Sequence, residues 1–386
     1  MCAVNNEWKP FVSFVALWLN YMNIIRFYIP LLPFILVLML GVCVAAPPAF
    51  DEEKWQQTVA GQTAETLYAP NHKDGTFFNP WNPIQEKSLG QFLRWRFSRT
   101  APYTEAEKTY LPDVIPGLDD RMHALDDQDF IAWIGHATFL IRVNRTFWLT
   151  DPMLSKRALL PARLTPPAFE KNVLSSITEP LNVFISHSHY DHLDKATIKA
   201  LPTHATIYVP LGLGDYVRRL HDGKVQEMDW WEQLDLGNGK SITCLPAQHW
   251  SRRIGQDFNT TLWAGYLLQT KDISVYYVGD SGYFAGFQEI GQRFPGIDYV
   301  LMPLTAYHPR WFMHYAHMNA LESIQAFQDL GAGFYIPTQW GTFHLGDNPP
   351  GFPALDLKYT LERLNLDPKP YLIMDIGEIR LLDSSK

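Results

Sequence analysis

The chain has 386 residues, 47% hydrophobic, 14% aromatic and only 19% charged; this composition can bury a large core and excludes a disordered or collagen-like chain. Lys and Arg number 32 against 40 Asp and Glu, a net charge of −8, which argues against nucleic acid as a partner. Cys2, Cys43 and Cys244 lie too far apart for a C-x-x-C zinc ribbon and supply no disulfide framework.

Residues 11–46 are almost entirely apolar, with Arg26 the single charge, and split into runs 11–25 and 27–46. The second run is near the length that spans a bilayer. Read from Met22, the same stretch has a short basic start, an apolar middle and small residues at Cys43, Ala45 and Ala46, as in a secretory signal. Pro47 and Pro48 would hinder cleavage, so an uncleaved anchor and an export signal both stand for 1–46. Pro30 and Pro33 and the lack of a polar face argue against a buried core helix. Either reading places the protein in or beyond a membrane, in a bacterial envelope.

Residues 47–127 are rich in Pro, Trp and turn formers and predict an irregular, aromatic-rich lead-in with one short helix at 91–99. A regular pattern starts near 128 and continues to 386. Short β-rich runs at 130–134, 138–143 and 146–149 predict a meander, followed by buried strands at 182–186 and 207–210 that alternate with helical segments. Strands follow at 241–245, 262–269, 273–279 and 299–303, then a helix at 318–330 and a strand at 334–337. Two meanders, each followed by strand-helix alternation, predict an α/β fold with two sheets sandwiched between helices.

The chemistry concentrates at Ser186-His187-Ser188-His189-Tyr190-Asp191-His192, directly after a buried strand. In an extended segment His187 and His189 point the same way, and a turn at Asp191 and His192 aims a carboxylate and an imidazole into neighbouring space. That geometry suits two adjacent metal ions, and donors without thiolate favour zinc, with iron or manganese the alternative at the more oxygen-rich position. Two further candidates stand just past strands: His249, and Asp280 in Gly279-Asp280-Ser281-Gly282. A carboxylate at 280 can give one oxygen to each of two metals; the plainer alternative is a structural capping Asp.

The order H-x-H-x-D-H, a later His, then Gly-Asp-Ser-Gly resembles the metallo-β-lactamase-fold hydrolases. Phe78-Asn79-Pro80-Trp81, Gly135-His136-Ala137-Thr138, Leu149-Thr150-Asp151-Pro152, Asp229-Trp230-Trp231-Glu232 and Ala306-Tyr307-His308-Pro309-Arg310-Trp311-Phe312-Met313 narrow the resemblance to the N-acylphosphatidylethanolamine-hydrolysing phospholipase D family and its bacterial relatives. The last stretch is the most selective. The resemblance implies a four-layer αββα metallo-β-lactamase sandwich, two zinc ions, and hydrolysis of a phospholipid phosphodiester that releases phosphatidic acid. It further implies His187, His189 and His249 on one metal, Asp191 and His192 on the other, and Asp280 between them. Asp151 would orient a ligand imidazole, and His317 would act on the phosphoryl group or the leaving oxygen as an acid-base residue.

The family's last ligand is the His of a His-Trp-Gly-Thr-Phe run, which here reads Gln339-Trp340-Gly341-Thr342-Phe343, followed by His344. Three readings follow: His344 folds back as the ligand, Gln339 ligates or holds a water, or the second metal is weakly held. His136 is read as a structural residue, packing or hydrogen-bonding beneath the site, and His308 and His314 as surface or groove positions. Phe77, Phe78, Trp81, Phe92, Trp95 and Phe97 with Arg94, Arg96 and Arg99 either form an interfacial surface or pack the edge of the core. The rival activities are hydrolysis of a small ester, lactone or phosphodiester by the same fold, and a membrane-anchored protein with a degenerate metal site. The residues set neither acyl preference nor oligomeric state.

Overall fold

The computed structural model describes residues 49–383 except 85, 99, 100 and 126; the apolar segment 1–46 lies outside them. Among the described residues no helix is long and apolar enough to cross a membrane. The chain divides into a large unit, Phe50–Glu86 with Ala101–Lys386, and a second that includes Lys87–Thr100. In the second, the helix Leu89–Phe97 starts at a capping box in which Ser88 and Gln91 satisfy each other's backbone N–H groups. It buries none of its side chains.

The large unit begins with short helices and a hairpin of β1 (His72–Lys73) and β2 (Thr76–Phe77). The lead-in holds helices at Glu52–Ala60, Ala64–Leu67, Glu105–Thr109 and Leu118–His123 besides the one expected. Each has only a turn or two of weakly patterned sequence and is held by partners distant in the chain. The Trp55 indole donates to Glu322 at 2.9 Å, and the Trp231 indole donates to the Leu67 carbonyl. Phe77 and Trp81 are buried, whereas Phe92, in the other unit, is exposed.

Two sheets follow, built alike. In the first, β3 (Phe130–Gly135), β4 (Thr138–Val143) and β5 (Thr146–Thr150) form an antiparallel meander; β6 (Leu181–Phe184), β7 (Thr206–Pro210) and β8 (Lys224–Met228) continue it in parallel. β15 (Ile379–Leu381) closes the other edge against β3. In the second, β9 (Gln233–Gly237), β10 (Lys240–Leu245), β11 (Gly265–Gln269) and β12 (Ser274–Tyr277) are antiparallel. β13 (Tyr299–Pro303) and β14 (Phe334–Thr338) extend it in parallel.

Alternation along the strands explains the layering. On β3 and β4, Ile131, Trp133, Phe139 and Ile141 join the core shared with the second sheet, while Phe130, Ala132 and Leu140 join the core under the outer helices with Leu174, Ile198 and Val217. Strands buried on both faces read as continuous apolar runs, which is why the sequence shows them. β8, β9 and β15 are short or polar edge strands without that signal. The result is the expected αββα sandwich. The segments that follow β3, β5, β6, β10 and β12 carry His136, Asp151, the 187–192 motif, His249 and Asp280.

Gly279 carries β12 into that region with φ +70°, and a Cβ there would stand 2.7 Å from the Ser186 Cβ and 2.9 Å from the Ala264 carbonyl oxygen. Gly279→Ala is therefore expected to destabilise the protein by about 2–4 kcal/mol, read as a lower urea midpoint; an unchanged midpoint would contradict this packing.

Candidate metal centre

The loop after β6 delivers its side chains as the spacing predicted. His187 Nε2 and His189 Nδ1 face each other at 2.8 Å, and His249 Nε2, from the loop after β10, stands 3.3 Å from the same His189 nitrogen. Asp280 Oδ2 lies 3.8 Å from His187 Nε2 and 3.5 Å from His249 Nε2. These four residues form one group able to hold a metal ion. A second forms beside it from His136, Asp191 and His192. His192 Nε2 points between Asp191 Oδ2 at 3.2 Å and Asp280 Oδ1 at 3.3 Å, yet makes no hydrogen bond. With metal-nitrogen bonds of about 2.0–2.1 Å, ligand atoms around a tetrahedral zinc are about 3.3 Å apart. The donor spacings and this orphaned, buried imidazole nitrogen fit resident metal ions.

Asp151 is fully buried beneath the centre. Its Oδ2 accepts from His192 Nδ1 at 2.6 Å, from the Ser186 hydroxyl and from the Tyr277 hydroxyl, and its Oδ1 accepts from the Ser186 N–H at 2.7 Å. The arrangement fixes the His192 ring with Nε2 toward the centre. His317 lies at the margin, its ring 5.5 Å from that of His249. Its carbonyl accepts from Arg310, which also pairs with buried Glu322 at 2.5 Å. His308 and His314 are half-buried; His308 Nδ1 meets the Tyr103 hydroxyl at 2.7 Å, and His314 packs on Phe50 and Trp55.

His344 is exposed and stands outside both groups, contrary to the expectation that it folds back. Phe343 takes the inward direction, packing edge-on to His136 at 5.0 Å, and the next side chain consequently points out. Gln339 does enter the centre: its Nε2 donates to Asp280 Oδ1 at 2.6 Å, and its Oε1 is buried without a partner. His136 is buried, packs on Phe343 and hydrogen-bonds at the site as the structural reading expected, its Nε2 lying 3.0 Å from Asp191 Oδ2; what that reading did not give is its place in the second group. The signal that would have found it is position: it directly follows β3, as His249 and Asp280 stand a few residues past β10 and β12. Ser186 opens the motif, but nothing in the sequence assigned its hydroxyl, or that of Tyr277, a part in the site.

Comparison with known proteins agrees with this architecture. A family described as beta-lactamase superfamily domain matches residues 146–340. The chain belongs to that superfamily and is a metal-dependent hydrolase of the metallo-β-lactamase fold. It is 33% identical over 300 residues to an uncharacterized protein of Mycobacterium tuberculosis, covering 74% of this chain and 78% of that one. It is 32% identical over 269 residues to N-acyl-phosphatidylethanolamine-hydrolyzing phospholipase D 1 of Caenorhabditis elegans, covering 65% of this chain and 75% of the relative. Among solved structures, a possible metal-dependent hydrolase from Veillonella parvula matches with TM-score 0.55 at 18% identity, over 66% of this chain and all of the other.

The electrostatics divide the centre. Burial, then the neighbouring imidazoles, hold His187 and His249 well below the ordinary imidazole range, and burial lowers His189 to about 4. Burial also opposes a charge on His192, but Asp280, Asp191 and Asp151 outweigh it and raise its pKa well above that of a free imidazole. Burial, with nearby Asp191, pushes Asp280 up to about 7 against the pull of His192. Without metal, three imidazoles are thus kept neutral, the state in which they ligate. Between pH 6.5 and about 4 the unfolded chain binds a proton at His189 that the native chain refuses, so the stability of the metal-free fold falls as pH falls through that window. His189 alone should contribute at most about 3 kcal/mol to that fall. Chelator-treated wild type should lose melting temperature from pH 6.5 to 4.5 more steeply than chelator-treated His189→Gln; equal slopes would contradict the assignment.

Proposed function

We propose that this protein is a zinc-dependent phosphodiesterase that hydrolyses N-acyl-phosphatidylethanolamine-type phospholipids, releasing phosphatidic acid. The observation that carries the reading is the Ala306–Met313 stretch, the part of the sequence most selective for that family: its Arg310 binds the His317 carbonyl and the Glu322 carboxylate and sets His317 beside His249. The relationship to the nematode phospholipase D supports the same substrate class. Donors of imidazole and carboxylate alone support zinc.

His187, His189 and His249 would hold one ion, and Asp191 and His192 the second, with Asp280 between them. Ions held there lower the pKa of a water and offset charge that develops on a phosphoryl oxygen. The chain's own residues do the rest. Asp151 keeps the His192 ring turned toward the centre, and Gln339 holds the Asp280 carboxylate through Oδ1. His317, at the rim, protonates the leaving oxygen of the ethanolamine side. Exposed Leu159, Leu160 and Leu164 support an apolar approach for acyl chains: Leu164 N–H bonds the carbonyl of Thr342, within the run that carries Gln339. The apolar segment 1–46 would tether the protein to the envelope membrane where such lipids lie.

Turnover of N-acyl-phosphatidylethanolamine should exceed that of a lysophospholipid, a lactone or bis(p-nitrophenyl) phosphate. Preference for the lactone would overturn the substrate class and leave the hydrolase. His317→Gln should lower kcat on the lipid about 100-fold with metal content intact; undiminished turnover would remove His317 from the reaction.

A further inference from the structure

The substitution of Gln for the family's last histidine leaves the second metal position one imidazole short. We infer that His136 supplies that imidazole, and that Gln339 serves as a positioning residue for Asp280. This rests on the two-metal reading above and assigns a ligand that the motif pattern does not.

Three observations converge on His136. Its Nε2 is 3.0 Å from Asp191 Oδ2, and His192 Nε2 is 3.2 Å from that same oxygen; both spacings match the edge of a tetrahedral zinc site, about 3.3 Å. The ring is fully buried, and Nε2 is the ring nitrogen it turns to the Asp191 carboxylate. The backbone directs it there. His136 has φ 54°, a left-handed conformation that few non-glycine residues adopt. It is held by its own N–H to Thr342 Oγ1 and by the Gln339 N–H to its carbonyl, both at 3.0 Å. The turn that carries His136 is thus pinned to the run in which Gln has taken the histidine's place.

Gln339 is turned the other way. A carboxylate oxygen only accepts hydrogen bonds, so the side-chain atom 2.6 Å from Asp280 Oδ1 is the amide nitrogen. The amide nitrogen donates to Asp280 Oδ1 and, at 3.4 Å, to the Gly279 carbonyl, which holds the shared carboxylate between the two positions. An imidazole is in any case the stronger zinc ligand.

Metal content by atomic emission and the visible spectrum of the cobalt-substituted full chain test this. Wild type should hold two ions per chain. His136→Asn should keep the ion at His187, His189 and His249, lose at least tenfold in affinity for the other, and lose its cobalt bands. Gln339→His in the same chain should restore them. Two tightly held ions with an unchanged cobalt spectrum in His136→Asn would overturn the inference while leaving the two-metal reading in place. A single ion in wild type would overturn both. If thermal melts show that His136→Asn does not fold, proton NMR of cobalt-substituted wild type decides: one hyperfine-shifted exchangeable imidazole proton beyond those of His187, His189, His192 and His249 supports the inference, and its absence rejects it.

Discussion

The Asp151 carboxylate joins the two sheets at the floor of the centre. It stands at the end of β5 in the first sheet, receives the Tyr277 hydroxyl from β12 in the second, and receives Ser186 and His192 from the loop between. A carboxylate with no solvent exposure is tolerated only when its lone pairs are met by donors, and here four donors meet it. Everything above depends on that saturation: the loop after β6 leaves its strand at a set angle because Ser186, near its start, is bonded there, and the His192 ring is oriented by the protein alone. Such a network is cooperative, so its members orient one another more tightly than isolated pairs would.

The parts of the molecule legible in the sequence are those whose local pattern and tertiary role coincide. β4 and β13 have the predicted bounds because buried strands are apolar along their whole length. The helix Ala320–Leu330 is marked by its capping box at Asn319 and Glu322 and by Gly331 at its end. His187, His189, Asp191 and His192 were readable because one short segment carries them all. His136, Tyr277 and Gln339 were not, since their meaning depends on which strand ends meet across the two sheets, and that is a property of the fold. His344 misled for the related reason that adjacency in sequence does not survive the reversal of direction between successive side chains.

The two sheets repeat one plan, and the plan places Asp151 and Asp280 alike. Each follows the last antiparallel strand of its meander, just before the parallel strands begin. Their surroundings then diverge. Asp151 is saturated by donors and acts as structure, whereas Asp280 faces His187, His192 and His249 with Gln339 as its hydrogen-bond donor. One position in the plan thus supplies an anchor in the first sheet and a group available to metal in the second.

The residues that face the centre reach from His136 to Gln339 and come from the ends of β3, β6, β10, β12 and β14, so the site closes only when chain segments far apart in sequence have met. Loop-closure entropy is spent before such contacts repay it, which makes the centre one of the last features to form as the chain folds. Ions that bind only the closed arrangement would then act as a latch on the whole sandwich, and their removal would lower the resistance of both sheets to opening.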